Sequence, residues 1–313
     1  MKKFFFSLNN KNNDNIQNYK YIKLENKNVE FIKKTINKNF IIFGILSHLS
    51  FIINLFFIKI LSLNENISND LIIFYRTCFK ILISLCIIKI NNIKIVNCKQ
   101  LIYQKILIKF IFNFFAILFL VFLIRNFRFW SIFSLIISNP IFLIIFEYIK
   151  NKEKNLKFLF IIFLLLIGFL LIIINELKTI YFLFVIIFLF ISFFSVKFQK
   201  QICIKINIFN QNFYSNFFVL FFSLIIILFN NSFKFKLSLF FYSLFSSIFS
   251  QISEFYNEKI IITMKSKIFS FFYIFDLIIS ILLSLIILNE KIYFIDFIGI
   301  FLLLIKNLLI LIN

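Results

Sequence analysis

The sequence predicts an all-α membrane protein with ten transmembrane helices arranged as two inverted five-helix repeats. The first reason is composition, because 62% of the residues are hydrophobic and the mean hydropathy is +0.99, which exceeds what a soluble core requires. The second is that the apolar residues fall into ten segments of about 20 residues, the length of a helix that crosses a bilayer. The third is a polar pattern at the end of the chain that has a counterpart in its first half.

The ten segments are separated by short polar joins, which favours tight connections between antiparallel helices. Residues 1–38 precede them and are polar, rich in Lys and Asn and without apolar periodicity, so we predict a cytoplasmic tail there. The first repeat is predicted at 39–175 and the second at 178–311. The segments lie at 39–63, 71–90, 105–124, 129–149, 156–175, 178–200, 211–229, 237–257, 268–288 and 292–311.

The internal repeat is indicated by two matching pairs of polar residues. Asp276 precedes Glu290 by fourteen residues, and Asn139 precedes Glu153 by the same fourteen. Each acid stands at a short polar turn between two apolar helices. Because five helices per half is an odd number, the second half enters the membrane from the opposite side, and this predicts an inverted repeat of the kind common in transporters.

Lys and Arg set the predicted orientation. The tail and alternate joins are rich in Lys, whereas the join at 64–70 contains no cation, so both termini are predicted inside. The net charge of +21 is assigned to these loops and to contact with anionic lipid, and no nucleic-acid partner is predicted. The abundance of Phe, with 54 residues, and of Ile, Lys and Asn indicates an A/T-rich genome. The inner membrane of an intracellular bacterium is the predicted location, and an organelle membrane is the alternative.

Two ionisable residues lie well inside apolar segments. Arg76 is in the second segment with Lys80 one turn later on the same face, and Asp276 is in the ninth segment, one turn after Tyr273. A charge within hydrocarbon is costly and is a functional hypothesis by default. A guanidinium suits a carboxylate or phosphate, so Arg76 is predicted to meet a substrate anion and Asp276 a positive group. Snorkelling or a structural ion pair is the alternative for Arg76.

Four further residues are predicted to lie along a pathway. His48 is the only histidine and would serve as a proton relay or as a hydrogen-bonded packing residue. Asn139 and Pro140 stand together in the fourth segment, where the only proline of the chain would kink the helix. Glu254 lies near the end of the eighth segment, where it would face water.

Motifs of soluble catalysis are absent from the sequence. There is no P-loop, no GxSxG and no HExxH, and the four cysteines form no CxxC pair. We therefore predict no enzymatic activity, no cofactor and no metal site. An integral-membrane lipid-modifying enzyme or a lipid-handling membrane protein remains the alternative to a transporter.

The pattern resembles the drug/metabolite transporter superfamily of EamA type. The resemblance is carried by Ile72–Leu85, Phe129–Ile174 and Ser270–Asn307, with an Arg in the second helix and an acidic turn before the last helix of each half. The glycines depart from the family pattern, because Ile162 and Lys306 stand near positions where the family has small residues.

Within the superfamily, three stretches are similar to S-adenosylmethionine uptake carriers of Rickettsia-type intracellular bacteria. They are Ile191–Gln201, Phe213–Ser215 and Tyr273–Glu290. The resemblance implies alternating access, a bilayer location, a small polar substrate such as S-adenosylmethionine or another amino-acid-like solute, and a central cavity between the repeats. It makes the matching residues substrate-binding candidates and leaves a homodimer open. Those candidates are Arg76, Tyr214, Tyr273 and Asp276.

Overall fold

The structure, a computed structural model, shows a chain built from α-helices. The described residues are 41–64, 66–93, 104–138, 160, 162–164, 166–168, 170–172, 179–202, 208–230, 232–233, 235–263 and 266–312. Contacts divide the chain into two units, Met1–Phe43 and Gly44–Asn313. Of the first unit only the start of one helix is described, and the packing reported below is that of the second. The predicted tail, Asn139, Pro140 and the turn at Glu153 lie outside the described residues.

Every regular element among the described residues is an α-helix, as predicted, because long runs of Ile, Leu and Phe satisfy their backbone groups internally in this form. The described helices lie in the order of the predicted apolar segments. α8 continues beyond its predicted end at 257, because the polar residues there end the apolar run but not the helix. The bounds are α1 Ile41–Ser62, α2 Asn69–Ile90, α3 Gln104–Asn126, α4 Phe129–Ser138, α5 Ile162–Ile172, α6 Thr179–Ile202, α7 Ile208–Asn230, α8 Leu237–Thr263, α9 Ser266–Ile286 and α10 Phe294–Ile312.

Four helices are long and apolar enough to cross a bilayer. They are α1, α2, the part of α3 at Leu107–Asn126 and the part of α7 at Asn210–Asn230, with hydropathies of 2.0 to 2.7. The described residues thus support a membrane protein, and the total of ten spans stays a prediction.

Many large apolar side chains lie on the outer surface of the described helices, while many polar ones are buried beside the apolar core. On α7 an exposed stripe at helical spacing consists of Phe217, Phe221, Leu224 and Leu228, whereas Asn212 on the same helix is buried. Large apolar side chains thus face outward and amides, hydroxyls and charges face inward. This pattern suits helices whose surroundings are lipid.

The predicted hairpin near the end of the chain is present as α9, a short connection and α10. Asn289 adopts a left-handed conformation with φ of 52°, which Asn tolerates better than most residues, and this reverses the chain. At the start of α10, the Tyr293 N–H donates to Asp296 Oδ2 at 2.9 Å and so satisfies a free donor of the first turn.

Helices of the first five pack extensively against helices of the second five. α2 packs against α7 and α8, α3 against α6 and α7, and α4 against α6 and α9. α1 joins α8 through a hydrogen bond from Ser47 Oγ to the Ser253 carbonyl at 3.0 Å, and its His48 contacts Asp276 of α9. The interior of this unit is therefore an interface between the two halves.

α5 and α10 cross at Gly168 and Gly299. A Cβ built on Gly168 would lie 3.0 Å from the Gly299 carbonyl oxygen, and one on Gly299 would lie 2.9 Å from that of Gly168. The two backbones touch reciprocally, and no other residue type leaves room for this approach. These are the glycines of the helices that follow the two acidic turns.

Candidate functional site

A polar cavity of about 250 Å³ lies among α1, α2, α3, α7 and α8. Its walls combine three cations, one carboxylate and several amides and hydroxyls with a few apolar side chains, which is the composition of a site for a small polar molecule. The lining residues are Phe51, Asn54, Arg76, Lys80, Lys109, Asn113, Ile117, Leu120, Asn212, Ser215, Asn216, Ser250, Ser253, Glu254 and Asn257.

Arg76 projects into this cavity from the second turn of α2. Its side chain is buried with 7% exposure, and Nη2 donates to Ser250 Oγ at 3.0 Å. Its Nε is buried and has no hydrogen-bond partner within the described part of the chain. A guanidinium with a free donor beside a polar cavity can bind an anion.

Lys80 lies one turn further along α2 and forms an ion pair with Glu254 of α8. The Ser250 hydroxyl donates to Glu254 Oε1 at 3.1 Å, so Arg76, Ser250, Glu254 and Lys80 form one connected row. Two cations in this row face one carboxylate. The Glu254 side chain keeps 34% exposure, so its second oxygen is accessible from the cavity.

A second layer of hydrogen bonds fixes α2 against α8. Ser247 Oγ donates to the Arg76 carbonyl at 2.8 Å. Gln251 Nε2 donates to Ser84 Oγ at 2.9 Å and to the Lys80 carbonyl at 3.3 Å. These contacts hold the backbone that carries both cations, so the charged row has a fixed geometry.

A separate contact between a histidine and an aspartate joins α1 to α9. His48 Nδ1 lies 2.6 Å from Asp276 Oδ2, and both side chains are buried. The imidazole stacks on Phe272 with ring centroids 5.0 Å apart and meets the edge of Tyr273 at 5.9 Å. The two atoms pointing away from this contact, His48 Nε2 and Asp276 Oδ1, are buried without a partner among the described residues.

The structure divides the sequence-predicted residues between these two places. Arg76 and Glu254 line the cavity, whereas Tyr273, Asp276 and His48 form the separate pair and its surroundings. Tyr214 lies on α7 beside the lining residue Ser215, with its ring 5.2 Å from that of Phe213. A direct substrate contact by Tyr214, Tyr273 or Asp276 stays a prediction.

Most of the polar lining was not predicted from the sequence. A polar stripe on α8 at spacings of three and four residues could have indicated it, and it is formed by Ser243, Ser247, Ser250, Glu254 and Asn257. Such a stripe places all five on one helical face, and in an apolar helix that face must meet other polar groups.

Partly buried ion pairs join three connections at one end of the helices. Arg128 Nη1 donates to Asp296 Oδ2 at 2.8 Å, Lys59 Nζ lies 3.6 Å from Glu290 Oε1, and the Phe129 N–H donates to Glu290 Oε2 at 2.7 Å. We call Lys59, Arg128, Glu290 and Asp296 the end cluster. It joins the end of α1, the α3–α4 connection and the α9–α10 connection.

The cavity lies towards the opposite end. Lys109 and Asn212 are in the second turns of α3 and α7, Glu254 is in the later half of α8, and Phe51 lies about two turns before Lys59 along α1. Packed side chains lie between the cavity and the end cluster. They include Ile58, Val121 and Ile124, which are fully buried.

Among the described residues, no group of three His, Cys, Asp or Glu side chains comes close enough to hold a metal ion. No protein-family model and no curated protein matches the chain.

Proposed function

We propose that the chain is a multi-pass membrane carrier of the EamA-type drug/metabolite transporter kind, which moves a small polar metabolite by alternating access. The observation that carries the proposal is the buried, unsatisfied Arg76 donor in a polar cavity, inside a bundle whose outer surface is apolar. Two buried cations, Arg76 and Lys80, share the single carboxylate of Glu254 there, so a bound anion would offset the excess positive charge.

The packing between the halves supports an inverted repeat. If helix n of the first half corresponds to helix n+5, then α2 with α7, α4 with α9 and α5 with α10 are contacts between equivalent helices. The remaining contacts between the halves occur in equivalent pairs. For example, the contact of α3 with α6 corresponds to the contact of α8 with α1. A two-fold relation produces this set of contacts, and rocking about such an axis is the usual basis of alternating access.

The position of the end cluster supports a one-sided state. Ion pairs close one end of the helices, while the cavity lies nearer to the other. A carrier needs a second state in which that end opens, and charge pairs between connections can separate without breaking any helix.

The charged row favours an amino-acid-like substrate. A carboxylate would bind the free Arg76 donor, and an ammonium group would bind Glu254 in competition with Lys80. S-adenosylmethionine and related solutes carry both groups, so they form the class to test first. Glu254, rather than Asp276, then supplies the acid of the binding site.

The experiment is uptake of a labelled panel into vesicles that contain the purified protein. The panel comprises amino acids, S-adenosylmethionine, a dicarboxylate and a sugar phosphate, and protein-free vesicles give the background. Saturable uptake of at least one solute is expected. Uptake of none of them above the background would contradict the proposal.

Arg76→Lys tests the assignment of the site. The variant keeps the charge but loses the forked donor geometry, so the apparent affinity should fall by about ten-fold or more. Arg125→Lys is the matched control, since Arg125 donates to the Ile67 carbonyl and Asn69 Oδ1 outside the cavity and should leave the affinity near the wild-type value. Equal effects of the two changes would refute the assignment.

A further inference from the structure

The cavity has a second polar wall, which α3 and α7 form beside the charged row of α2 and α8. We call Asn113, Asn212, Ser215 and Asn216 the amide wall, and all four line the cavity. The three members on α7 stand at spacings of three and four residues, so they share one helical face. Asn113 Nδ2 donates to Ser215 Oγ at 2.8 Å and so joins α3 to this face. These side chains offer donors and acceptors but carry no charge.

Asn216 is a member of this wall whose hydrogen bonding is incomplete. The residue is 3% exposed, and its Nδ2 is buried without a partner among the described residues. A buried amide of this kind lowers the stability of the fold unless a hydrogen bond satisfies it. A half-turn of the amide about its last side-chain bond presents either a donor or an acceptor to the cavity. Asn216 can therefore bind a polar group of a ligand.

The depth of the amide wall follows from helix geometry. α2 begins at the end of the helices that carries the end cluster, because Arg125 near the end of α3 donates to the Ile67 carbonyl just before α2. Asn230, the last residue of α7, donates to Asp70 Oδ2 at 3.2 Å, so α7 runs antiparallel to α2 from the same level. Asn216 precedes Asn230 by fourteen residues, which places it about 21 Å further from that end.

Glu254 reaches nearly the same depth on α8. Ser247 donates to the Arg76 carbonyl and Gln251 to the Lys80 carbonyl, so α8 runs parallel to α2 in a constant register. Glu254 follows Gln251 by three residues, and this places it about 20 Å from the start of α2. The acid of the charged row and the amide wall thus lie at one level of the cavity, on neighbouring helices of the second half.

The guanidinium lies nearer to the end cluster. Arg76 Nη2 donates to Ser250, which precedes Glu254 by one turn of α8. An amino acid whose carboxylate binds Arg76 and whose ammonium group binds Glu254 would therefore extend its side group away from the end cluster, towards Asn216. The side group would meet the amide wall before it reached the open end of the cavity.

We propose that the amide wall is a second subsite, which binds a hydrogen-bonding side group of the substrate, and that Asn216 is the residue that determines this specificity. The inference rests on the proposed function and narrows its substrate class to α-amino acids whose side group accepts a hydrogen bond. An apolar side group of the same length would leave the Asn216 amide unsatisfied, and a site built to form a hydrogen bond discriminates strongly against such a ligand.

Equilibrium binding tests the subsite with two probes of similar length, L-glutamine and L-methionine. Isothermal titration calorimetry on the purified full chain in detergent measures the two Kd values. Glutamine is expected to bind at least about five-fold more tightly, because only its side group can pair with the Asn216 amide. A smaller preference, tighter binding of methionine or no binding of glutamine would overturn the proposal. This comparison uses the wild-type chain and depends on no variant.

Asn216→Leu tests the residue itself. Leu is close to Asn in size but forms no side-chain hydrogen bond, so the two Kd values should become equal to within about two-fold. Asn216→Ala, which cannot overpack the site, should have the same effect. Asn230→Leu makes the first change on the same helix outside the cavity and should keep the wild-type preference. A preference for glutamine that survives both changes at Asn216 would refute its role.

Failure of this inference is distinguishable from failure of the proposed function. If the vesicles take up no solute of the panel, the carrier function is contradicted, while calorimetry still shows whether the cavity distinguishes glutamine from methionine. If the vesicles take up a solute but glutamine does not bind in preference to methionine, the second subsite is refuted and the carrier function stands.

Discussion

Glu254 is the residue that balances the charge of the cavity. It is the one acid among the described residues that line the cavity, and it accepts from both Lys80 and Ser250. Ser250 in turn accepts from Arg76, so the removal of one charge affects both buried cations. Removing one partner of such an ion pair lowers the stability of the fold, because the other partner is left desolvated and unpaired.

We therefore expect Glu254→Gln to lower the free energy of unfolding by about 2 kcal/mol. The double variant Lys80→Met/Glu254→Gln removes both charges and should recover most of this loss, while its uptake stays impaired. Thermal unfolding of purified protein in detergent measures the effect. A double variant less stable than Glu254→Gln alone would contradict the charge-balance argument.

At this scale the sequence identified which residues are unusual but not what they contact. Arg76, His48 and Asp276 stand out because an ionisable group in an apolar helix requires a reason. Arg76 and its partner Ser250 are 174 residues apart in the sequence, and His48 and its partner Asp276 are 228 residues apart. Helical periodicity carries no information about pairing at such separations, so the contact between His48 and Asp276 could not be predicted.

The crossing of α5 and α10 is the contact that most depends on single residues. A methyl group on Gly299 would lie 2.7 Å from Ile172 Cγ1 as well as 2.9 Å from the Gly168 carbonyl oxygen. A backbone oxygen cannot move without displacing the helix. Overpacking of this kind typically costs about 1–3 kcal/mol.

Gly299→Ala is accordingly expected to lower the melting temperature, and Gly168→Ala to do the same. Because the two glycines contact one another, the effects of the double variant should depart from additivity by about 0.5 kcal/mol or more. Ile298→Ala, a partly exposed position on the same helix, should change little. Gly299→Ala as stable as wild type would show that α5 and α10 do not approach so closely.

The helical class and the order of the described helices were predictable, because apolar runs of about 20 residues remain recognisable even in a biased composition. The end of α8 was not, since hydropathy records where apolar side chains stop and not where backbone hydrogen bonds stop. The contact between Gly168 and Gly299 could not be predicted either, because the sequence does not show which residues of two distant helices meet.

For the molecule as a whole, the end cluster and the cavity lie at different depths of the helices. Arg128 binds both the Lys291 carbonyl and Asp296, and its guanidinium also lies over the rings of Trp130 and Tyr293. Arg128→Gln removes the charge that holds the α3–α4 connection to α10. It should shift the population towards a state open at that end.

The most direct test of alternating access is two-sided labelling of the cavity, which needs no knowledge of the substrate. Ser253→Cys places a thiol in the cavity of a chain whose four native cysteines are replaced by Ser, and Ser223→Cys, buried on α7 outside the cavity, is the control. A membrane-impermeant thiol reagent is applied to each face of oriented vesicles. In the parent chain we expect the thiol introduced by Ser253→Cys to be labelled predominantly from one face. When Arg128→Gln is added, labelling from the opposite face should become at least about three times faster than in the parent chain. The control should stay unlabelled in both. Labelling from a single face at unchanged rates, with or without Arg128→Gln, would contradict a carrier that opens alternately to the two sides.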